Sequence, residues 1–428
     1  MKAKVDPLRL TELLKSHERG DAPGFAIGVA LDGRPIFRRG YGLASIDAPL
    51  MLTPATRIRI GSTSKHFTVL GVLLLAEEGK LSIDEPIRRH LTDLPSWADA
   101  ITIHQLVTHT SGMHDTLDLM DLTSNIMMRS EALPHAAQRA LLRRLSSTNF
   151  APGADWSYCN GGYVLLTELI ETLSGMPYGD FLRERVFEPL GLHDTLARPF
   201  DMEFLAGSAA QHLGQPDGTF RRGLFGPEVC GEGGLVSSVD DLLRWLAALR
   251  NRRVGSDLTW QTMLRSGKVN DRDCHYAGGL ITSRWRGVEL LFHTGHVVGG
   301  SSQMLTVPQL ALDIIVLANT STVSPAAIAN QILGECIDGL DPEPAEGLSG
   351  DLRAGCYQSP STGRFIELVE ADGRIAIDFE PAKVPLRCEA DGRAWVPANI
   401  MQGAWLKQSD EALEWHEFGG IERLEPLQ

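Results

Sequence analysis

A serine and a lysine three residues apart, Ser62 and Lys65 in S-T-S-K at 62–65, open a run that is otherwise apolar nearly all round, H-F-T-V-L-G-V-L-L-L-A-E-E-G. A helix with so few polar positions belongs in a core, and side chains at i and i+3 share one face, one turn apart. Burial disfavours an ammonium and lowers its pKa, so the amine can accept a proton near neutrality. A hydroxyl beside such an amine becomes a nucleophile. The unpaired N–H groups at a helix N-terminus favour developing negative charge. By itself S-x-x-K is weak, since about one or two such strings arise by chance in a chain of this length. An N-cap serine with a snorkelling lysine accounts for it as simply.

Two further features change that weighting. In F-A-P-G-A-D-W-S-Y-C-N-G-G-Y, a Pro/Gly-rich loop delivers Tyr158 and Asn160 just ahead of a helix that begins near Gly161. A phenol beside a cation ionises more readily and can act as a base, and an Asn amide can orient its neighbours or hold a substrate carbonyl. Cys159, between them, is expected to point away into packing. The second feature is His293-Thr294-Gly295, at the end of the strand-like run V-E-L-L-F. Gly295 permits close approach of the backbone to a ligand, and the N–H of His296, just beyond, is a candidate second oxyanion donor opposite that of Ser62. Taken singly, a loop tyrosine packed on its neighbours and a hydrogen-bonded strand histidine explain these as well.

Together, in this order and spacing, the three motifs resemble the penicillin-recognising serine hydrolase (serine β-lactamase-like) superfamily. The stretches I-T-I-H-Q-L-V-T-H-T-S-G-M (101–113) and G-E-G-G-L-V-S-S-V-D-D-L (231–242) add to the likeness, with Ser238 and Asp241 as a helix-capping pair. The resemblance covers roughly 20–340. Within the superfamily, S-T-S-K-H-F-T, L-L-R-R-L-S-S-T-N-F-A-P-G and W-S-Y-C-N-G are most similar to D-aminopeptidase and D-amino-acid amidase. The resemblance implies Ser62 as nucleophile, Lys65 and Tyr158 as its proton-transfer pair, and Asn160 orienting Lys65 and the substrate. It places His293 on the opposite wall, with the Ser62 and His296 N–H groups as the oxyanion hole. Most superfamily members carry Lys or Arg where His293 stands. A histidine of ordinary pKa about 6.5 is mostly neutral at pH 7 and grips a carboxylate poorly. The same histidine occurs in D-aminopeptidase-like enzymes, so the implied cleavage is of an amide or ester after an N-terminal D-amino acid. Left open are a β-lactamase-like carboxylesterase, a D-Ala-D-Ala carboxypeptidase or β-lactamase, and a non-catalytic peptide-binding module.

The elements that must position these residues are legible in outline. The runs 24–31 and 34–42 flank Asp32-Gly33, a hairpin signal. Further strands are expected at 275–283, 288–293, 301–307 and 311–318, and a helix at 325–339. The middle reads as mostly helical, for example the stripe Tyr163, Leu166, Ile170 and Leu173 closed by Gly175. The fold expected is α/β (α+β): a β-lactamase-like antiparallel sheet, knitted from both ends of the region and flanked by helices, with an inserted helical lobe. It occupies residues 1–340, followed by a linker at 341–350 and a small C-terminal antiparallel β-barrel at 351–428. Asp372-Gly373 and Asp391-Gly392 are read as hairpin turns of that barrel.

Composition sets the remaining bounds. The net charge is −14, and −9 of it falls in 341–428, where 17 Asp and Glu face 8 Lys and Arg. Phosphate binding needs a cationic footprint, so the balance argues against nucleic acid as a partner. No secretory signal is read at the N-terminus, whose opening suits an amphipathic first helix, and the longest apolar run, around Leu70–Ala76, is too short to span a bilayer. The six cysteines (159, 230, 274, 336, 356 and 388) show no metal or disulfide spacing. They are read as reduced thiols in a cytoplasmic protein. His109 and His114, flanking Ser111-Gly112, are assigned to packing beneath the site. No cofactor, metal or membrane is expected; the partner is a small peptide, amide or ester substrate, with a homodimer left open.

Overall fold

Asp32 and Gly33 both take positive φ (52° and 72°) and turn β1 (Phe25–Leu31) into β2 (Arg34–Tyr41), as an Asp-Gly pair between apolar runs requires. This hairpin is one edge of a seven-stranded antiparallel sheet in a computed structural model. The structure describes residues 1–124, 133–342, 352–360, 364–371, 373–378, 383–388, 392–396, 404–417 and 420–427. The other five strands come from far along the chain: β3 (Tyr276–Ala277), β4 (Leu280–Trp285), β5 (Val288–Val297), β6 (Gly300–Val307) and β7 (Leu312–Ala318). The sheet order is β3-β4-β5-β6-β7-β1-β2. Phe25 lies opposite Ala318, and Leu31 opposite Leu312, so early and late strands meet in mid-sheet.

The expected strand at 275–283 is in fact two. Gly278 and Gly279 both have positive φ (55° and 74°) and fold it into the β3–β4 hairpin. A Cβ at Gly279 would lie 2.5 Å from the His66 backbone nitrogen, so the helix carrying Lys65 packs directly onto this turn.

Strand alternation sends side chains to two faces. On one, Phe25, Ile27, Val29, Leu305, Ile314 and Val316 pack against α1 (Pro7–Leu13) and the C-terminal helix Pro325–Cys336 through Leu10, Ile328, Ile332 and Leu333. On the other, Ala26, Ala30, Met304, Ile315 and Leu317 join the core of the inserted lobe. At the centre of that lobe is α2 (Lys65–Glu77), buried from Lys65 through Leu75. It packs on α3 (Asn160–Ser174), which ends with Gly175 in the left-handed conformation that stops a helix. Each fully buried leucine here contributes about 1.5–3 kcal/mol. The capping pair Ser238–Asp241 opens α4 (Val239–Arg250), the Asp241 N–H donating to Ser238 Oγ at 3.2 Å.

The middle is less purely helical than its sequence reads. Ile58–Arg59, Leu235–Ser237 and Leu196–Ala197 form a small antiparallel sheet, whose strands of two or three residues are too short to show a period of two. Its consequence is local: it ties the segment ahead of Ser62 to the Gly231–Leu235 run.

After the seven-stranded sheet and its helices comes a nine-stranded antiparallel sheet between Gly355–Gln358 and Gly420–Pro426. Its two outermost strands, Lys383–Pro385 and Arg387–Cys388, are separated by Leu386 alone, so the sheet curls into a nearly closed barrel around Ile366, Leu368, Ile377, Leu406, Leu413, Trp415 and Leu424. Within the expected linker, 343–350 lie outside the described residues, as do Asp372 and Asp391 of the two expected turns. Among the described residues, no helix is long and apolar enough to cross a membrane.

Candidate active site

Ser62 sits in a single 3-10 turn, Gly61–Ser64, that runs straight into α2. The turn is held on both sides. Ile60 N–H donates to Leu235 O at 3.1 Å, Leu235 N–H to Ser64 Oγ at 3.2 Å, and Ser302 Oγ to Ile60 O at 2.7 Å. Thr63 Oγ1 lies 2.9 Å from Ser302 Oγ. Because the amides that open a helix have no intrahelical acceptor, the Ser62 N–H is presented outward at the start of the turn.

Lys65 has no exposed surface. Its Nζ donates to Ser62 Oγ at 3.1 Å, to Asn160 Oδ1 at 2.8 Å and to the Glu232 backbone carbonyl. Burial pulls its pKa down to about 7, against the opposing pull of Glu232 and Asp115. Two of these three partners can only accept. In the neutral amine they hold both N–H groups, and the lone pair is left facing the Ser62 hydroxyl. That is the geometry a general base needs.

Asn160 is placed by the start of α3. Its N–H donates to Asp115 Oδ2, and Asp115 Oδ1 takes the Leu117 and Asp118 N–H groups at 2.7 and 3.3 Å. Burial pushes the Asp115 carboxyl pKa up, while those N–H donors and Lys65 pull the other way. Cys159 is extended (φ −140°, ψ 107°), which turns Tyr158 and Asn160 to one side and its own side chain to the other. The Cys159 thiol is buried and donates to His114 O at 3.5 Å. Lys65 Nζ lies 4.8 Å from the Tyr158 ring centroid and 5.1 Å from that of Tyr163. His109 supports this group from below: its ring lies 4.2 Å from that of Tyr158, and its Nδ1 accepts the Cys159 N–H at 3.1 Å.

The opposite wall is β5. A Cβ at Gly295 would fall 1.8 Å from Ile60 O and 2.5 Å from Ser302 Oγ. The close approach this glycine permits is therefore to the chain's own Ser62 turn. Val297 and Gly300 flank a two-residue turn and form the hydrogen-bonded pair next to it; the following pair, His296 and Ser301, does not. The His296 N–H therefore points away from β6. Pairing with β4 has already ended at Phe292. A Cβ on Gly61 would lie 2.9 Å from the His296 nitrogen, so the Ser62 and His296 amides border one space.

His293 is only 2% exposed. Its Nδ1 donates to Thr294 O at 2.5 Å, and its Nε2 accepts the Tyr276 hydroxyl at 3.0 Å. Burial, with Lys65 nearby, pulls its pKa down to about 3. The imidazole is neutral, with both nitrogens committed to the protein.

Ser62, Lys65, Asn160, Gly295 and the His296 backbone thus converge, with the Tyr158 ring beside Lys65 and His293 behind the wall. Sequence reasoning missed Glu232, Asp115 and Tyr276. Of these, Glu232 had a visible sign, a lone charge in the apolar run C-G-E-G-G-L-V (230–236). Among the described residues, no group of three or more His, Cys, Asp or Glu side chains could hold a metal ion.

A family model described as Beta-lactamase matches residues 10–334. The D-aminopeptidase of Brucella canis is 28% identical over 355 residues, covering 82% of this chain and 66% of that protein. The chain thus spans just under two thirds of the length of that curated relative. Among solved structures, the octameric penicillin-binding protein homologue from Pyrococcus abyssi superposes with a TM-score of 0.70 at 23% identity, covering 98% of this chain and 100% of the other. The D-amino acid amidase from Ochrobactrum anthropi SV3, complexed with L-phenylalanine amide, gives 0.60 at 25% identity over 72% of this chain and 90% of the amidase.

Proposed function

The chain belongs to the β-lactamase family, and from that premise we propose that it is a serine hydrolase of D-stereospecific aminopeptidase or amidase type. The observation that carries the reading is the dry Lys65 amine, 3.1 Å from Ser62 Oγ with its other two bonds on obligate acceptors. In the proposed reaction Lys65 takes the Ser62 hydroxyl proton as Oγ attacks the carbonyl carbon. The carbonyl electron pair moves onto oxygen, facing the Ser62 and His296 N–H groups. One such donor is worth about 3–4 kcal/mol in the transition state. Collapse expels the amine, which takes the proton back through Lys65 and Tyr158, and water then hydrolyses the acyl-Ser62 ester.

The neutral His293 wall supports a substrate without a carboxylate at that end. A β-lactam or a D-Ala-D-Ala terminus would find no cation there, whereas an amide or ester of a D-amino acid needs none. The D-aminopeptidase and D-amino acid amidase relatives support the same substrate class. A panel of D- and L-aminoacyl p-nitroanilides, amides and p-nitrophenyl esters tests it: turnover confined to the D series, with amides and anilides among the substrates cleaved, is expected. Equal or exclusive turnover of the L series, or of esters alone, overturns it.

We extend the proposal to the organisation of the chain: a catalytic unit at 1–340, a linker at 341–350 and a barrel unit at 351–428. All six cysteines are free, which supports a reducing, cytoplasmic setting, and the octameric relative supports self-association, of which a homodimer is the simplest form.

A further inference from the structure

Glu232 is 1% exposed and has partners gathered from a separate helix. His135 and Gln138, on one face of the helix His135–Leu142, both reach the same carboxylate oxygen. His135 Nε2 lies 3.3 Å from Glu232 Oε1, and Gln138 Nε2 donates to it at 3.3 Å. Glu232 Oε2 accepts the Cys230 N–H at 3.1 Å. Arg139 Nε donates to His135 Nδ1 at 3.2 Å, so the imidazole turns its protonated Nε2 toward the carboxylate. The same glutamate offers its backbone carbonyl to Lys65 Nζ.

A carboxylate this deep would be protonated unless something compensated it. Burial pushes its pKa up, and His135, the residue's own backbone N–H and Lys65 more than offset that, leaving it below the usual range. The groups facing Lys65 are Asn160, Tyr158, Cys159 and Tyr163 from α3 and its approach, His109 and Asp115 from the preceding turn, His293 from β5, and Glu232. Only two of these are carboxylates. Asp115 is committed to three backbone N–H groups that fix the start of α3. Glu232 alone combines a contact to Nζ with a separately built charge.

We infer that Glu232, kept ionised by His135, is a positioning residue that holds up the proton affinity of Lys65. The inference rests on the proposed role of Lys65 as base. Burial alone would leave the amine permanently neutral, able to take the Ser62 proton only weakly and poorly poised to return it. The charge of an ionised Glu232, on the residue whose backbone carbonyl holds Nζ, opposes the desolvation, so one group serves as base in acylation and as acid toward the leaving group, as a pKa near the working pH requires.

The test is the pH dependence of Ser62 labelling by a fluorophosphonate, a probe that needs the activated hydroxyl but no particular substrate. Glu232→Gln removes the charge and keeps the shape, and should move the acid limb to lower pH by about one unit, the lower end of what a nearby opposite charge does. His135→Gln removes what keeps that carboxylate ionised and should move the limb to lower pH as well. Circular dichroism checks folding. Should Glu232→Gln fail to fold, the sign of the His135→Gln shift decides. An unmoved limb in either folded variant, or a uniform loss of rate with no shift, overturns the inference. Lys65→Ala separates the two ideas: fast labelling in that variant removes the base itself, whereas a silent Lys65→Ala with an unshifted Glu232→Gln removes only the role of Glu232.

Discussion

Gly295→Ala should be among the most damaging single-methyl changes in this protein. The added carbon would fall 1.8 Å from Ile60 O, 2.5 Å from Ser302 Oγ and 2.8 Å from the Ile60 carbonyl carbon. Two of these are backbone atoms, and the third is a hydroxyl that itself holds Ile60 O at 2.7 Å, so no side chain can swing aside. The Ser62 turn must part from β5. That separates the Ser62 amide from the His296 amide, the two donors that would face a developing oxyanion. Losing one such donor costs roughly 3–4 kcal/mol, or about 100- to 1,000-fold in kcat. Stability should fall too, since overpacking at a rigid contact typically costs about 1–3 kcal/mol. The assay is kcat on a D-aminoacyl p-nitroanilide beside a thermal melt. An alanine variant with wild-type kcat and an unchanged Tm would show that β5 and the Ser62 turn do not jointly hold the reacting carbonyl.

Other expectations follow from the same geometry. Ser62→Ala should abolish turnover, measured with the same anilide, while the melt stays within a degree or two of wild type on the order of a surface change. Lys65→Met should also be inactive yet raise Tm at neutral pH. The lysine pKa is pulled from 10.5 down to about 7, so between those values the unfolded chain binds the extra proton, and the wild-type fold gains stability as pH rises through that window. The Tm gap between wild type and Lys65→Met should therefore close as pH approaches the upper end. His293→Lys should favour a substrate with a free carboxylate over its amide by about ten-fold or more in kcat/KM, the effect of a charged hydrogen bond, because the wild-type imidazole is neutral and both its nitrogens are occupied.

Much of this arrangement was legible in the chain because its chemistry is local. Ser62 and Lys65 are one helical turn apart. Tyr158 and Asn160 are alternate residues of one extended step, and Gly295 and His296 are consecutive. The sheet was legible too, since Asp32-Gly33 and the late apolar runs carry the period of a strand. What was hidden depends on distant partners. The β3–β4 break had a local sign, the Gly278-Gly279 pair; what has none is the helix that lies against that turn. Glu232 meets Lys65 across 167 positions and His135 across 97 in sequence, read from their numbers. Tyr276, which commits His293 Nε2, is 17 residues away on a strand whose turn was not foreseen. Ile58–Arg59 is too short to read as a strand, yet it is what carries the Ser62 turn.

The account turns on an uncharged Lys65 amine stripping the Ser62 proton, and the most direct measurement is the pH dependence of single-turnover acylation of Ser62 in the wild-type protein. The rate should climb with a single proton loss whose midpoint lies near 7, where burial places Lys65. A midpoint near 10.5, the ordinary lysine value, or a rate indifferent to pH across the neutral range, would contradict it.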